Sequence, residues 1–280
     1  MSTNKRNNQQ SVSSPKPAPG WIRFLFGGWI QAFRDIYNGL IIPFQELESA
    51  TKTGLILLAS IVVTWFIYVP IHELLHVAGC VVTGGTVTEL VMGREYGADF
   101  LAKIFPFITP ETGQYAGRVT GFEPNGDIGY LATVFAPYIL TLFPGIWLIG
   151  HAAYTRKFWL FGPGIVVGLA GFYNLTGDYF EIGTILSTRL VHVLTGGNAS
   201  ESITAFWELR SDDLFRLISE ISETPANYGM TTAGGITMTL IVIIFGFILA
   251  AWLAGLTYIA GRHLSKHIGS STIFVDSVKN

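Results

Sequence analysis

The sequence predicts an all-α polytopic membrane protein of about four transmembrane helices, with a small β segment between the first two and amphipathic surface helices. Three observations lead there. The 280-residue chain is 50% hydrophobic and only 13% charged, against about 25% charged residues in ordinary soluble domains. Long stretches, Thr53 to Val82 first among them, run almost without charge at lengths that cross a bilayer. Between the first two such stretches lies a segment of β-branched and turn residues instead of further apolar sequence. A net charge of −2 with no basic cluster gives no footing for nucleic acid, so the expected partner surface is the lipid bilayer. Cys80 is the only cysteine, which excludes a disulfide within the chain.

The elements follow in order. Residues 1–20 are polar and rich in Ser, Asn, Gln and Pro, a composition that buries too little to order itself and lacks the apolar run of a cleaved signal peptide. A disordered tail is expected there. Residues 21–50 mix aromatic and aliphatic side chains with Arg23, Arg34, Asp35, Glu46 and Glu48, which suits an interfacial amphipathic segment better than a span. Residues 51–190 form the expected membrane core. Its first span, Thr53 to Val82, would measure about 45 Å as a straight helix against a hydrocarbon core of about 30 Å, so tilt or a kink is expected, and Pro70 supplies one.

Residues 83–127 do not read as a span. Thr86 to Val91 and Gly117 to Phe122 have strand composition with turn residues between them, and Phe105-Pro106-Phe107-Ile108 between them is a candidate to dip into lipid. A second span is expected over Ile128 to Ala153 and a third from Phe158 to about Leu190, with Gly164, Gly168 and Gly171 offering a seam for close helix packing. Residues 191–234 read as an amphipathic extramembrane segment, with apolar residues at helical spacing between Ser200 and Glu223. Residues 235–262 form the C-terminal transmembrane helix, and 263–280 a tail.

Within the first span stands His72-Glu73-Leu74-Leu75-His76. Two histidines at i and i+4 lie one above the other on a helix face, so both imidazoles reach a single metal ion. A glutamate beside the first is placed to take a proton from water that the metal activates. Composition alone predicts roughly 0.005 such patterns in a chain like this. Ionisable groups at membrane depth cost on the order of 2.5–3.5 kcal/mol on insertion scales, which argues against a decorative motif.

A catalytic zinc takes three protein ligands and keeps one open position, so a third ligand is required. The candidates at membrane depth are Asp178, Glu181, His151 and Cys80. Asp178 and Glu181 lie where the third span turns abruptly polar, in Asn174-Leu175-Thr176-Gly177-Asp178-Tyr179-Phe180-Glu181. On a continuous helix Asn174, Asp178 and Glu181 share a face, offering a carboxylate ligand and an amide donor together.

On these residues the chain resembles the site-2-protease-type (M50) intramembrane zinc metalloproteases, which carry HExxH on one core helix and an Asp-Gly motif with a preceding Asn on another. The resemblance covers roughly Thr53 to Leu190 and includes a β-like segment after the first core helix. It departs from the family pattern at Asp178, which follows a glycine instead of preceding one, with no proline between Asn174 and Asp178. The resemblance implies a metalloprotease-like core in 51–190 holding Zn2+ by His72, His76 and Asp178, with Glu73 as general base and Asn174 as a catalytic donor to the oxyanion. The implied substrate is a membrane protein or membrane-associated peptide. A non-proteolytic membrane metal-binding protein (a transporter, sensor or degenerate scaffold) is the alternative that the same ligands allow.

Overall fold

A computed structural model describes residues 19–113, 116–194, 218 and 225–268. The expected tail and the amphipathic helix between Ser200 and Glu223 fall almost wholly outside the described residues. The chain begins with α1 (Gly20–Ile36), a turn of π-helix over Tyr37–Ile41 and the short α2 (Ile42–Gln45). Then comes α3 (Ala50–Val82), 33 residues long, which stays helical through Pro70. The proline expected to kink the span lies inside this continuous helix. Along its first half large apolar side chains face outward, with Leu55 63% and Leu58 57% exposed, while Tyr68, Val69, His76, Val77 and Cys80 in the second half are buried. One helix therefore serves as an apolar-surfaced rod at one end and as the spine of a packed core at the other.

After α3 the chain forms a three-stranded sheet of order β2-β1-β3, built from β1 (Thr86–Gly93), β2 (Ile108–Glu111) and β3 (Gly117–Glu123), with α4 (Ala98–Leu101) between the first two strands. β1 pairs parallel to β2 and antiparallel to β3. The parallel pair is possible because α4 and the loop after it carry the chain back to the same end. Leu90, Met92, Ala98 and Ile108 pack on Val77 and Leu74, which fixes the sheet against the second half of α3. Ile108 is buried in that cluster, with Phe105 and Phe107 packed against it. The residues exposed here are instead Phe100, 65%, and Ile104, 54%. Of the expected lipid-dipping quartet, Phe105, Phe107 and Ile108 thus pack inward and Pro106 stays exposed, because β2 needs Ile108 on the core face.

The remaining elements correct the count of spans. Among the described residues two helices are long and apolar enough to cross a membrane, α3 and the last helix, which extends over Thr232–Ile268. The expected second span is a bent unit: α5 (Gly126–Phe135) is followed by α6 (Tyr138–Leu140) and α7 (Ile146–Thr155), and the direction changes by 56° at the break before Tyr138. Pro137 sits at that break and Pro144 within the next irregular stretch, where a missing N–H removes a helical hydrogen bond. Counting the bent pair as one span gives at most three. The expected third span is divided into α8 (Phe161–Gly168), α9 (Ala170–Tyr173) and α10 (Asp178–Leu194). The separating segment at Asn174–Gly177 is made of turn-forming residues.

The last helix, α11 (Thr232–Ile268), packs along α10 and also across α1. A Cβ on Gly28 would collide with the backbone of Gly255, so α1 and α11 cross with main chains in contact. Trp29 Nε1 donates to the Ala251 carbonyl at 2.8 Å, and Arg262 Nε meets Asp35 Oδ2 at 2.9 Å. The interfacial segment expected from sequence is therefore bolted to the C-terminal span through its inner face. Its outer face keeps Trp21, Phe24 and Phe33 exposed.

Candidate metal centre

Four side chains at four-residue spacing, Tyr68, His72, His76 and Cys80, lie on the face of α3 that the rest of the core covers. The start of α10 comes to this face. His72 Nε2 lies 3.1 Å from Asp178 Oδ2 and 3.1 Å from His76 Nε2, and His76 Nε2 lies 3.5 Å from the same Oδ2. In a tetrahedral zinc site with bonds of about 2.0–2.1 Å, neighbouring ligand atoms stand about 3.3–3.4 Å apart. The three donor atoms thus already form one face of such a tetrahedron.

The outward nitrogens of both imidazoles are engaged, and this fixes which nitrogens face inward. His76 Nδ1 lies 2.8 Å from the Thr133 carbonyl of α5. A carbonyl only accepts, so Nδ1 carries the hydrogen and neutral His76 presents the lone pair of Nε2 to the cluster. His72 Nδ1 lies 3.0 Å from the Tyr68 hydroxyl. Metal-bound histidines usually have such partners on the second ring nitrogen, which set tautomer and ring angle. The side chains of His72, His76 and Asp178 are only 12%, 11% and 19% exposed, so little water competes for the donors.

Asp178 opens α10, where unpaired helix N–H groups favour a carboxylate. Its Oδ2 accepts from the Tyr138 hydroxyl at 2.8 Å and from Asn174 Nδ2 at 2.8 Å. The chain turns at Gly177 to bring these groups together, and a Cβ there would collide with Asn174 Oδ1. Asn174 and Asp178 do not share a helical face as the sequence spacing suggested. The turn brings them together instead.

Glu73 is half-buried and close enough to interact electrostatically with His72, His76 and Asp178. Its side chain lies along the beginning of β3: a Cβ on Gly117 would stand 2.5 Å from Glu73 Cγ and 2.8 Å from Cδ. The glutamate is therefore wedged between α3 and the strand backbone, on a side chain path that only a glycine leaves open.

The other candidate ligands go elsewhere. Glu181 is buried and accepts a short hydrogen bond from the Tyr130 hydroxyl. Cys80 is buried against the Thr86 and Glu123 carbonyls at the base of the sheet. His151 stacks on Trp147 at 4.7 Å. Among the described residues, His72, His76 and Asp178 are the one His/Cys/Asp/Glu group arranged to hold a metal ion. Sequence reasoning missed Tyr68, Thr133 and Tyr138. Tyr68 left a signal, standing at i−4 from His72, whereas Tyr138 reaches Asp178 across forty residues with no local signature.

No protein-family model, no curated protein and no solved structure matches this chain. Its chemistry is read from its own residues.

Proposed function

We propose that this protein is a multi-pass intramembrane zinc metalloprotease that hydrolyses peptide bonds of membrane-associated substrates, with Glu73 as the general base. One observation carries the reading: two imidazole nitrogens and one carboxylate oxygen converge with tetrahedral spacing, and a second carboxylate that is not part of the triplet lies beside them. Two nitrogens and one oxygen at that spacing suit zinc, leaving a fourth position for a reactant. Zinc, when bound, supplies Lewis-acid chemistry, acidifying water and polarising a carbonyl.

The chain's own residues supply the remainder. His72, His76 and Asp178 hold the ion. Glu73 stands on the side of the triplet that faces β3, where it can accept the proton of an attacking water and later return it to the leaving amine. β3 is paired to β1 on one side only, an edge position in the sheet. An extended substrate strand added to that edge would pair alongside Gly117, whose face Glu73 touches. The packed walls around the triplet, formed by Tyr68, Tyr138 and Tyr179, limit competing water.

The test is hydrolysis of a transmembrane-peptide substrate by the full chain in detergent micelles, wild type against Glu73→Gln. The substitution is expected to keep the metal content and to lower turnover by about 10²–10⁴-fold. Undiminished cleavage by Glu73→Gln would refute the general-base mechanism. Stoichiometric metal without cleavage of any membrane peptide by the wild type would favour a binding or transport protein.

A further inference from the structure

The geometry points to Tyr138 and Asn174 as a pair of positioning residues that aim one oxygen of Asp178 at the metal, with the Asn174 amide serving the ligand instead of a substrate carbonyl. This rests on the metal site proposed above. The Asn174 amide nitrogen, a donor only, has two acceptors beside it: Nδ2 lies 2.6 Å from the Tyr138 hydroxyl and 2.8 Å from Asp178 Oδ2. Because a carboxylate oxygen only accepts, the atom facing it must be the amide nitrogen, and the orientation of Asn174 follows. Tyr138 accepts from that amide and donates its own hydroxyl hydrogen bond to the same Oδ2 at 2.8 Å. The three groups close a ring of hydrogen bonds around a single oxygen.

The surroundings make this ring stiff. Tyr138 is fully buried and cannot meet a substrate. Its ring packs edge-on against Tyr179 at 4.5 Å and beside Phe135 at 6.0 Å, and it stands perpendicular to the His72 imidazole at 5.8 Å. Such a ring has little freedom to move its oxygen. With two donors on Oδ2 the carboxylate is held from rotating, so the same oxygen stays toward His72 and His76 before any ion arrives. Outer partners of this kind typically change metal affinity by about 10–100-fold when removed. For Asn174 to donate to an oxyanion it would first have to release one of these bonds.

Cobalt(II) replaces zinc in such sites and reports its ligand geometry through visible d–d absorption, so it can be read without any enzymatic turnover. The full chain in detergent micelles is stripped of metal and titrated with Co2+. Tyr138→Phe and Asn174→Ala are each expected to weaken Co2+ binding about 10–100-fold and to alter the shape of the bands. The double variant is expected to lose less than the product of the single losses, because the two residues act through one oxygen. Thr141→Val removes a similarly buried hydroxyl bond, 2.8 Å to the Val167 carbonyl, which involves neither Tyr138, Asn174 nor the ligands. It is expected to bind Co2+ as the wild type does, which separates positioning from general loosening of the fold. Wild-type affinity and bands in both Tyr138→Phe and Asn174→Ala would overturn the proposal. So would an Asn174→Ala variant that loses peptide hydrolysis while its Co2+ bands stay unchanged, since that result assigns the amide to the oxyanion. If the wild type hydrolyses no peptide but the Co2+ losses occur as expected, the positioning pair stands and the protease reading falls.

Discussion

Two aspartates in this molecule sit in nearly the same shell and do opposite jobs. Asp35 on α1 receives the Tyr258 hydroxyl at 3.1 Å, the Gln31 amide at 2.9 Å and the Arg262 guanidinium at 2.9 Å. Asp178 on α10 receives the Tyr138 hydroxyl and the Asn174 amide, each at 2.8 Å. Where Asp35 has a guanidinium, Asp178 has two imidazole nitrogens, and because His76 Nδ1 donates to the Thr133 carbonyl, Nε2 is the nitrogen that His76 offers to a metal once it gives up its proton there. A carboxylate that brings its own permanent cation closes a structural joint. One that faces two imidazoles belongs to a cluster that could hold a metal cation. The distinction rests on arginine keeping its proton at any physiological pH, whereas an imidazole can exchange its proton for a metal ion.

The comparison is broken most severely at the two carboxylates themselves. Asp35→Ala removes the carboxylate from the buried pair with Arg262 and the acceptor of the Tyr258 and Gln31 bonds, and the expected cost is about 3–5 kcal/mol of stability. Thermal unfolding with and without chelator should show that loss equally in both conditions. In the wild type, chelation itself is expected to remove stabilisation, about 4 kcal/mol if free metal stood at 1,000 times its Kd. Asp178→Ala should abolish that chelator-dependent shift, and its persistence would mean that another residue completes the site.

A smaller effect is expected where the sheet meets the motif. Gly117→Ala puts a methyl group on Glu73 and should push the carboxylate out of line, lowering peptide hydrolysis by about 10²-fold. Metal content measured on the same sample should not change. If both fell together, the clash would have spread to the histidines.

The smallest effect lies at the far face of the sheet. Glu89 accepts hydrogen bonds from Thr120 at 2.7 Å and Thr109 at 3.0 Å, and these hold its carboxyl below the usual carboxylate range. A depressed folded value means that its contribution is present above the ordinary carboxylate pKa and fades as pH falls through the folded one. Because Glu89 is only half-buried and open to solvent screening, the contribution is small. The melting difference between wild type and Glu89→Gln should narrow on acidification, and a gap that widens would reverse the sign.

Much of the site was legible in the sequence for one reason: within a helix, distance along the chain fixes distance in space. His72, Glu73 and His76 needed only the 3.6-residue repeat of α3, and Tyr68 was available by the same rule. The strands Thr86–Gly93 and Gly117–Glu123 were legible from β-branched residues bounded by turns, although β2 and the parallel pairing were not. Counting spans from hydropathy failed where prolines and the Asn174–Gly177 turn divide apolar sequence into short helices. Mean hydropathy measures solvent preference and is blind to a missing N–H.

By itself, then, the sequence determined the apolar character of the chain, the His72–Glu73–His76 face and a short list of third ligands. Tertiary structure alone decided among them. Asp178, and not Glu181, Cys80 or His151, lies against the two histidines because α10 begins at that residue and is held in place along α11, with Glu181 at Tyr130 and Asp178 toward α3. The same packing delivered Thr133 and Tyr138 to the site across gaps of 57 and 40 residues. Helical periodicity is a local property of the backbone. The meeting of separate helices depends on how whole surfaces fit, which no single stretch of sequence records.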